Sequence, residues 1–141
     1  FQYDDIREEV RGRQGPYKIA AAAYSLLGDY ASARNVLKSF YDLVMTAFQS
    51  GQASNWGLDQ NTVSNNLYDI LGNMLYNDET EVKKLLDSNK KEDARKLVDS
   101  LLTSYKQIND PLFKSFLQTA EPRLRSLIEG KSADSVTDTT Q

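Results

Sequence analysis

Apolar residues return at helical intervals along most of the chain, and polar punctuation divides them into segments. Tyr30, Ala33, Leu37, Phe40, Val44 and Ala47 are spaced 3, 4, 3, 4 and 3 residues apart, on one face of a helix that runs to about Gln49. Val63, Leu67, Ile70 and Met74 repeat at 4, 3 and 4, and Leu71 and Leu75 widen that stripe. Ala94, Leu97, Leu101, Tyr105 and Ile108 make a third stripe, and Phe113, Phe116, Ala120, Leu124 and Leu127 a fourth. Upstream, residues 17–27 are good helix formers, with Pro16 suited to their first turn.

The breaks between stripes set the expected boundaries. Gly12-Arg13-Gln14-Gly15-Pro16 is a breaker cluster, so residues 1–15 are read as a short N-terminal helix or arm. Gly28-Asp29 interrupts the next segment. Residues 50–58 hold two glycines, an asparagine and the single Trp56, and read as a loop that opens into a helix capped by Asp59. That helix is expected to end near Tyr76-Asn77. Asp78 with Glu81 has capping-box spacing for a short helix stopped at Ser88-Asn89, and Asn89 with Glu92 repeats the device. Asp110-Pro111 opens the last segment, in which Pro122 predicts a kink near Thr119 or two shorter helices. Residues 131–141 are polar and read as a disordered tail.

An apolar stripe can be hidden only against other stripes, so the expected fold is all-α, an antiparallel four-helix bundle over residues 16–130. Truncating Phe40, Leu67, Leu101 or Phe116 to alanine should each cost about 2–5 kcal/mol. Composition agrees with one globular domain, at 40% hydrophobic and 26% charged residues. No apolar run approaches the roughly 20 residues that span a bilayer. A net charge of -3 gives no general attraction to nucleic acid, which is not an expected partner.

Chemistry narrows sharply because the chain has no histidine and no cysteine. The usual general base, the commonest metal ligand and the soft thiolate are thereby missing. Asp78, Glu79 and Glu81 are the densest carboxylates, but acids in a first helical turn complement the dipole and its unpaired N–H groups. Asp4, Asp5, Glu8 and Glu9 alternate with Arg7 and Arg11 in the manner of a solvated face. Serine nucleophiles lack a base, and no phosphate-cradling glycine loop or calcium loop is present. The expectation is a non-enzyme without cofactor or metal that acts through its surface. Candidate docking residues are Trp56, Arg34, Lys38, Lys83, Lys84, Lys90, Lys91, Arg123 and Arg125. Two readings of Trp56 stand: an interface anchor, or a ring folded back over the end of the bundle.

Two resemblances sharpen this picture. Tyr17, Ala21, Tyr24, Gly28, Tyr30 and Ala33 look like one tetratricopeptide unit, although a solenoid needs about three such repeats. Trp56, Leu67 with Leu71, Ala94 with Leu97 and Leu101, and Leu117 with Leu124 resemble the helix order of the PsbQ-like extrinsic proteins of photosystem II, including red-lineage algal forms. The Gly28 break in the first long helix departs from that family. The resemblance implies a non-catalytic subunit of the plastid thylakoid lumen, held peripherally on membrane-intrinsic and other extrinsic subunits, which stabilises the oxygen-evolving machinery. The start at Phe1 fits a processed precursor or a fragment of a longer chain. The alternative is a soluble helical adaptor or scaffold with a tetratricopeptide-like hairpin.

Overall fold

The computed structural model describes residues 3–12 and 15–130, and every regular element among them is helical. The elements are α1 (Tyr3–Val10), α2 (Pro16–Leu26), α3 (Tyr30–Gln49), α4 (Gln52–Asn55), α5 (Gln60–Asp87), α6 (Lys91–Lys106) and α7 (Pro111–Ile128). The four long helices expected from the stripes are α3, α5, α6 and α7. The polar 131–141 segment and the side chains of Asp4 and Asp5 lie outside the described residues. The chain divides into two compact units between Asn77 and Asp78, a point inside α5.

The core of the first unit follows the predicted stripes. Ala33, Leu37, Phe40, Val44 and Ala47 of α3 are buried, as are Val63, Leu67, Ile70 and Met74 of α5. Asp59 caps α5 as expected, accepting from the Thr62 N–H at 2.7 Å. Helices α2 and α3 form an antiparallel hairpin in which the Tyr17 ring stacks on Phe40, with centroids 4.7 Å apart and planes at 8°. Its turn needs a left-handed residue. Gly28 has φ +81° and donates to the Ser25 carbonyl, while Asp29 donates to that of Tyr24. Asp29 then caps α3 by accepting from the Ser32 N–H at 3.1 Å.

The N-terminal segment is a built part of this unit. Glu9, read above as a solvated residue, is fully buried in the last turn of α1. Its Oε1 accepts from the Tyr17 N–H at 3.2 Å and its Oε2 from the Lys18 N–H at 2.7 Å, so it caps α2 from another helix. The α2 N-cap position itself holds Gly15, which supplies no side-chain bond. A Cβ there would lie 2.6 Å from Glu9 Oε1 and 2.8 Å from Glu9 Cβ, so the close approach requires glycine. Gly15→Ala should therefore separate α1 from α2 and cost about 1–3 kcal/mol in urea unfolding.

Burial raises the Glu9 pKa above its ordinary 4.5, although the Lys18 and Tyr17 N–H groups and the Lys18 charge pull the other way. The folded protein thus holds this proton more tightly than the unfolded chain. The stabilisation is present below 4.5 and is lost as pH rises through the raised folded value. Wild-type stability should gain on Glu9→Gln when the pH is lowered from about 7.5 to about 4.5; parallel unfolding profiles would refute this.

The second unit holds the end of α5 with α6 and α7. Helix α5 does not stop at Tyr76-Asn77 but continues to Asp87. Asn77 and Asp78 look like a break, yet each finds a partner within its own unit. Asn77 Nδ2 donates to the Tyr30 carbonyl at 3.0 Å, and buried Asp78 accepts from the Tyr105 hydroxyl at 2.5 Å. Nor does Asn89 cap α6. It takes a left-handed φ of +60° and ends α5, donating to Leu86 while Lys90 donates to Leu85, as in the Gly28 turn. Asp110 caps α7 through the Phe113 N–H at 2.8 Å, and α7 runs undivided through Pro122. Tyr105, Phe113 and Phe116 form an edge-to-face cluster with centroids 5.3–6.0 Å apart.

Candidate functional site

The residues singled out for docking fall into three situations. Trp56 is the C-cap of the one-turn helix α4 and is only 7% exposed, so its ring is not offered to a partner. The segment around it, expected to be open loop, is tied down by buried Ala53 and Leu58. The ring is thus covered within the fold. Arg34 is half-buried and Lys38 is paired with Asp42 one turn on at 2.5 Å.

Arg123 and Arg125 are engaged within the second unit. The Arg123 Nη2 reaches both Glu79 oxygens at 3.1 Å, joining α7 to α5, and Arg125 reaches Asp99 of α6 at 2.5 Å. Glu79 therefore serves Arg123. Lys106 with Glu121 adds a further α6 to α7 pair at 3.0 Å. These pairs are largely exposed and each is worth about 0–1 kcal/mol. They orient the helices more than they stabilise them.

Lys83, Lys84, Lys90 and Lys91 remain at the surface, all four exposed. They flank the short α5 to α6 turn of the second unit. Lys83 and Lys84 lie in the last turns of α5, where a cation favours the helix dipole. Lys90 and Lys91 stand at the N-cap and first position of α6, where a cation opposes it, with Glu92 and Asp93 as the local compensation. A requirement for stability alone would place an acid or a hydroxyl at Lys90.

A second surface was not singled out from the sequence. The first unit has an open groove of about 610 Å³ lined by Lys18, Ala21, Leu26, Asp69, Tyr76 and Asn77, among others. On its border Leu26 is 89% exposed and Tyr76 72%, while neighbouring Leu27 is 82% exposed. Lys18 and Asp69 face each other at 3.8 Å. The Asn77 amide is 3% exposed, and with Nδ2 held by the Tyr30 carbonyl its Oδ1 has no hydrogen-bond partner. A signal was present in the sequence: α2 carries two apolar stripes, Tyr17-Ala21-Tyr24 toward α3 and Ile19-Ala22-Leu26 on the opposite side. One neighbour can cover only one of them.

Among the described residues no group of three or more potential ligands is placed to hold a metal ion, and no helix is long and apolar enough to cross a membrane. No protein-family model, curated protein or solved structure matches this chain.

Proposed function

We propose that this chain is a non-catalytic docking subunit that binds an acidic surface of a larger assembly through the lysine corner at the α5 to α6 turn. The observation that carries this reading is the placement of four exposed lysines on either side of one short turn, two of them against a helix dipole. Cations that oppose the dipole are better explained by attraction to a partner than by the fold. The resemblance to PsbQ-like proteins directs the proposal to the lumenal side of photosystem II, with the oxygen-evolving machinery as the structure supported. Peripheral attachment through protein contacts is consistent with the lack of a membrane-crossing helix among the described residues.

The test is rebinding of the purified chain to salt-washed photosystem II membranes. Wild-type protein should bind at low ionic strength and be released near 1 M salt, where charges are screened beyond about 3 Å. Changing Lys83, Lys84, Lys90 and Lys91 together to glutamate should weaken binding at least tenfold, leaving helix content unchanged. No low-salt binding by the wild type would sink the photosystem reading. The adaptor reading would then stand in its place, favoured by the α2–α3 hairpin and its Gly28 turn, which have the tetratricopeptide order. Binding that ignores the four glutamates would reject the lysine corner itself.

A further inference from the structure

We infer that α1 is a proton-gated strap: it stays closed on the start of α2 while the Glu9 carboxyl is protonated and loosens when that carboxyl ionises. The inference concerns the first unit and is independent of the lysines at the α5 to α6 turn. A helix of 8 residues is too short to persist alone in water, so α1 is ordered only by what it packs against. Among its described side chains Glu9 and Val10 are the two buried ones, at 0% and 3% exposure. Val10 lines a hollow with Thr62 and Asn66 of α5. Glu9 is the anchor on α2, and it can titrate.

That anchor is enclosed without a counter-ion. Its oxygens accept from the Tyr17 and Lys18 N–H groups, and no ion pair reaches them among the described residues. Lys18, the cation on α2, turns its Nζ to the Glu9 backbone carbonyl at 3.4 Å and to Asp69 of α5 at 3.8 Å. On α1 itself Arg11 pairs with Glu8 at 3.4 Å, and Arg7 forms no pair with Glu9. The Tyr17 phenol stays neutral, because burial and then the Glu9 charge raise its pKa above 10.0. Enclosing a carboxylate with two hydrogen bonds and no counter-ion is costly, and a proton removes the charge. That cost falls on the closed state alone, since an open α1 returns Glu9 to water. Burial accordingly outweighs the two N–H groups and the Lys18 charge, and the closed carboxyl keeps its proton above the ordinary 4.5.

Helix α2 does not depend on the strap. The Ile19 N–H bonds the Gly15 carbonyl, and the Tyr17 ring stacks on Phe40 of α3. Ionisation of Glu9 therefore loosens α1 and leaves the α2–α3 hairpin folded.

The Tyr17 and Lys18 amides report the strap directly. At the second and third positions of α2 they have no acceptor within the helix and bond only Glu9. Their hydrogen exchange in the full chain is followed by NMR from about pH 4 to 8 and divided by the intrinsic rate at each pH. Protection should fall by up to about tenfold per pH unit between 4.5 and the raised folded value, then level off. It should also lie below that of the α3 amides, as a local opening requires. Glu9→Gln should make the profile flat, whatever its level. Lys18→Met removes a charge that favours the ionised carboxyl, so the fall should move to higher pH. A wild-type profile that is flat or rises with pH overturns the inference. So does a fall in Glu9→Gln equal to that of the wild type, a Lys18→Met fall that stays in place or moves down, or protection equal to that of α3, which would make the opening global.

Discussion

Phe40→Ala is expected to destabilise the first unit by about 3–5 kcal/mol, a large part of the stability of an ordinary domain. Phe40 is fully buried in the middle of α3, so truncation leaves a cavity as well as losing apolar transfer energy. It also removes the stack with Tyr17 that holds α2 against α3. Aromatic pairs add about 0.5–1.5 kcal/mol beyond their area, which places Phe40 toward the upper end of the range. Phe40→Leu keeps most of the volume and should recover more than half of the loss. Urea unfolding followed by far-ultraviolet circular dichroism measures both variants. A Phe40→Ala loss below about 1 kcal/mol would mean that the hairpin does not pack as described.

The second large effect is at Tyr105, where two contributions can be separated. Tyr105→Phe keeps the ring among Phe113 and Phe116 but withdraws the hydroxyl from buried Asp78. Depriving a buried oxygen of this donor costs about 1–3 kcal/mol, and that is the expected loss. Tyr105→Ala removes the ring as well and should cost about 3–5 kcal/mol. If Asp78 is changed to Asn in both backgrounds, the effect of removing the hydroxyl should shrink, since the carboxyl oxygen that accepts from it is replaced. A double-mutant cycle reads that coupling directly. Additive values would show that the hydroxyl and the carboxylate do not interact.

Both sites show where sequence reasoning succeeds and where it stops. The Phe40 and Leu67 stripes were legible because burial on one side of a helix imposes a 3.6-residue period that depends on nothing distant. Asp59 and Asp110 were legible as caps for the same reason, each accepting from an N–H three residues on. Asp78 and Asn89 were misread because the same residue types serve other ends. A carboxylate that looks like a cap is instead the acceptor for a tyrosine 27 positions away. An asparagine that looks like a cap adopts the left-handed turn that ends the helix before it.

The candidate site divides in the same way. Lysines at 83, 84, 90 and 91 are close in sequence and flank one short turn, so their grouping was legible without the structure. The ion pairs of Arg123 and Arg125 could not be foreseen, because they depend on which residues α7 meets, whereas a covered Trp56 was one of the two readings the sequence left open.

By itself the sequence determined the helical class, the stripes of α3 and α5 and most of those of α6 and α7, where Val98 and Ile128 are buried in place of Leu97 and Leu127, and the absence of imidazole and thiol side chains, because these follow from local period and from residue types present or missing. Only the tertiary structure decided that Glu9 caps α2 from α1, that α5 runs on through Asn77 and Asp78, and that the outer face of α2 stays uncovered beside a groove. Those outcomes turn on partners far apart in the chain, and a one-dimensional pattern does not encode which distant group will satisfy a polar atom or cover an apolar face.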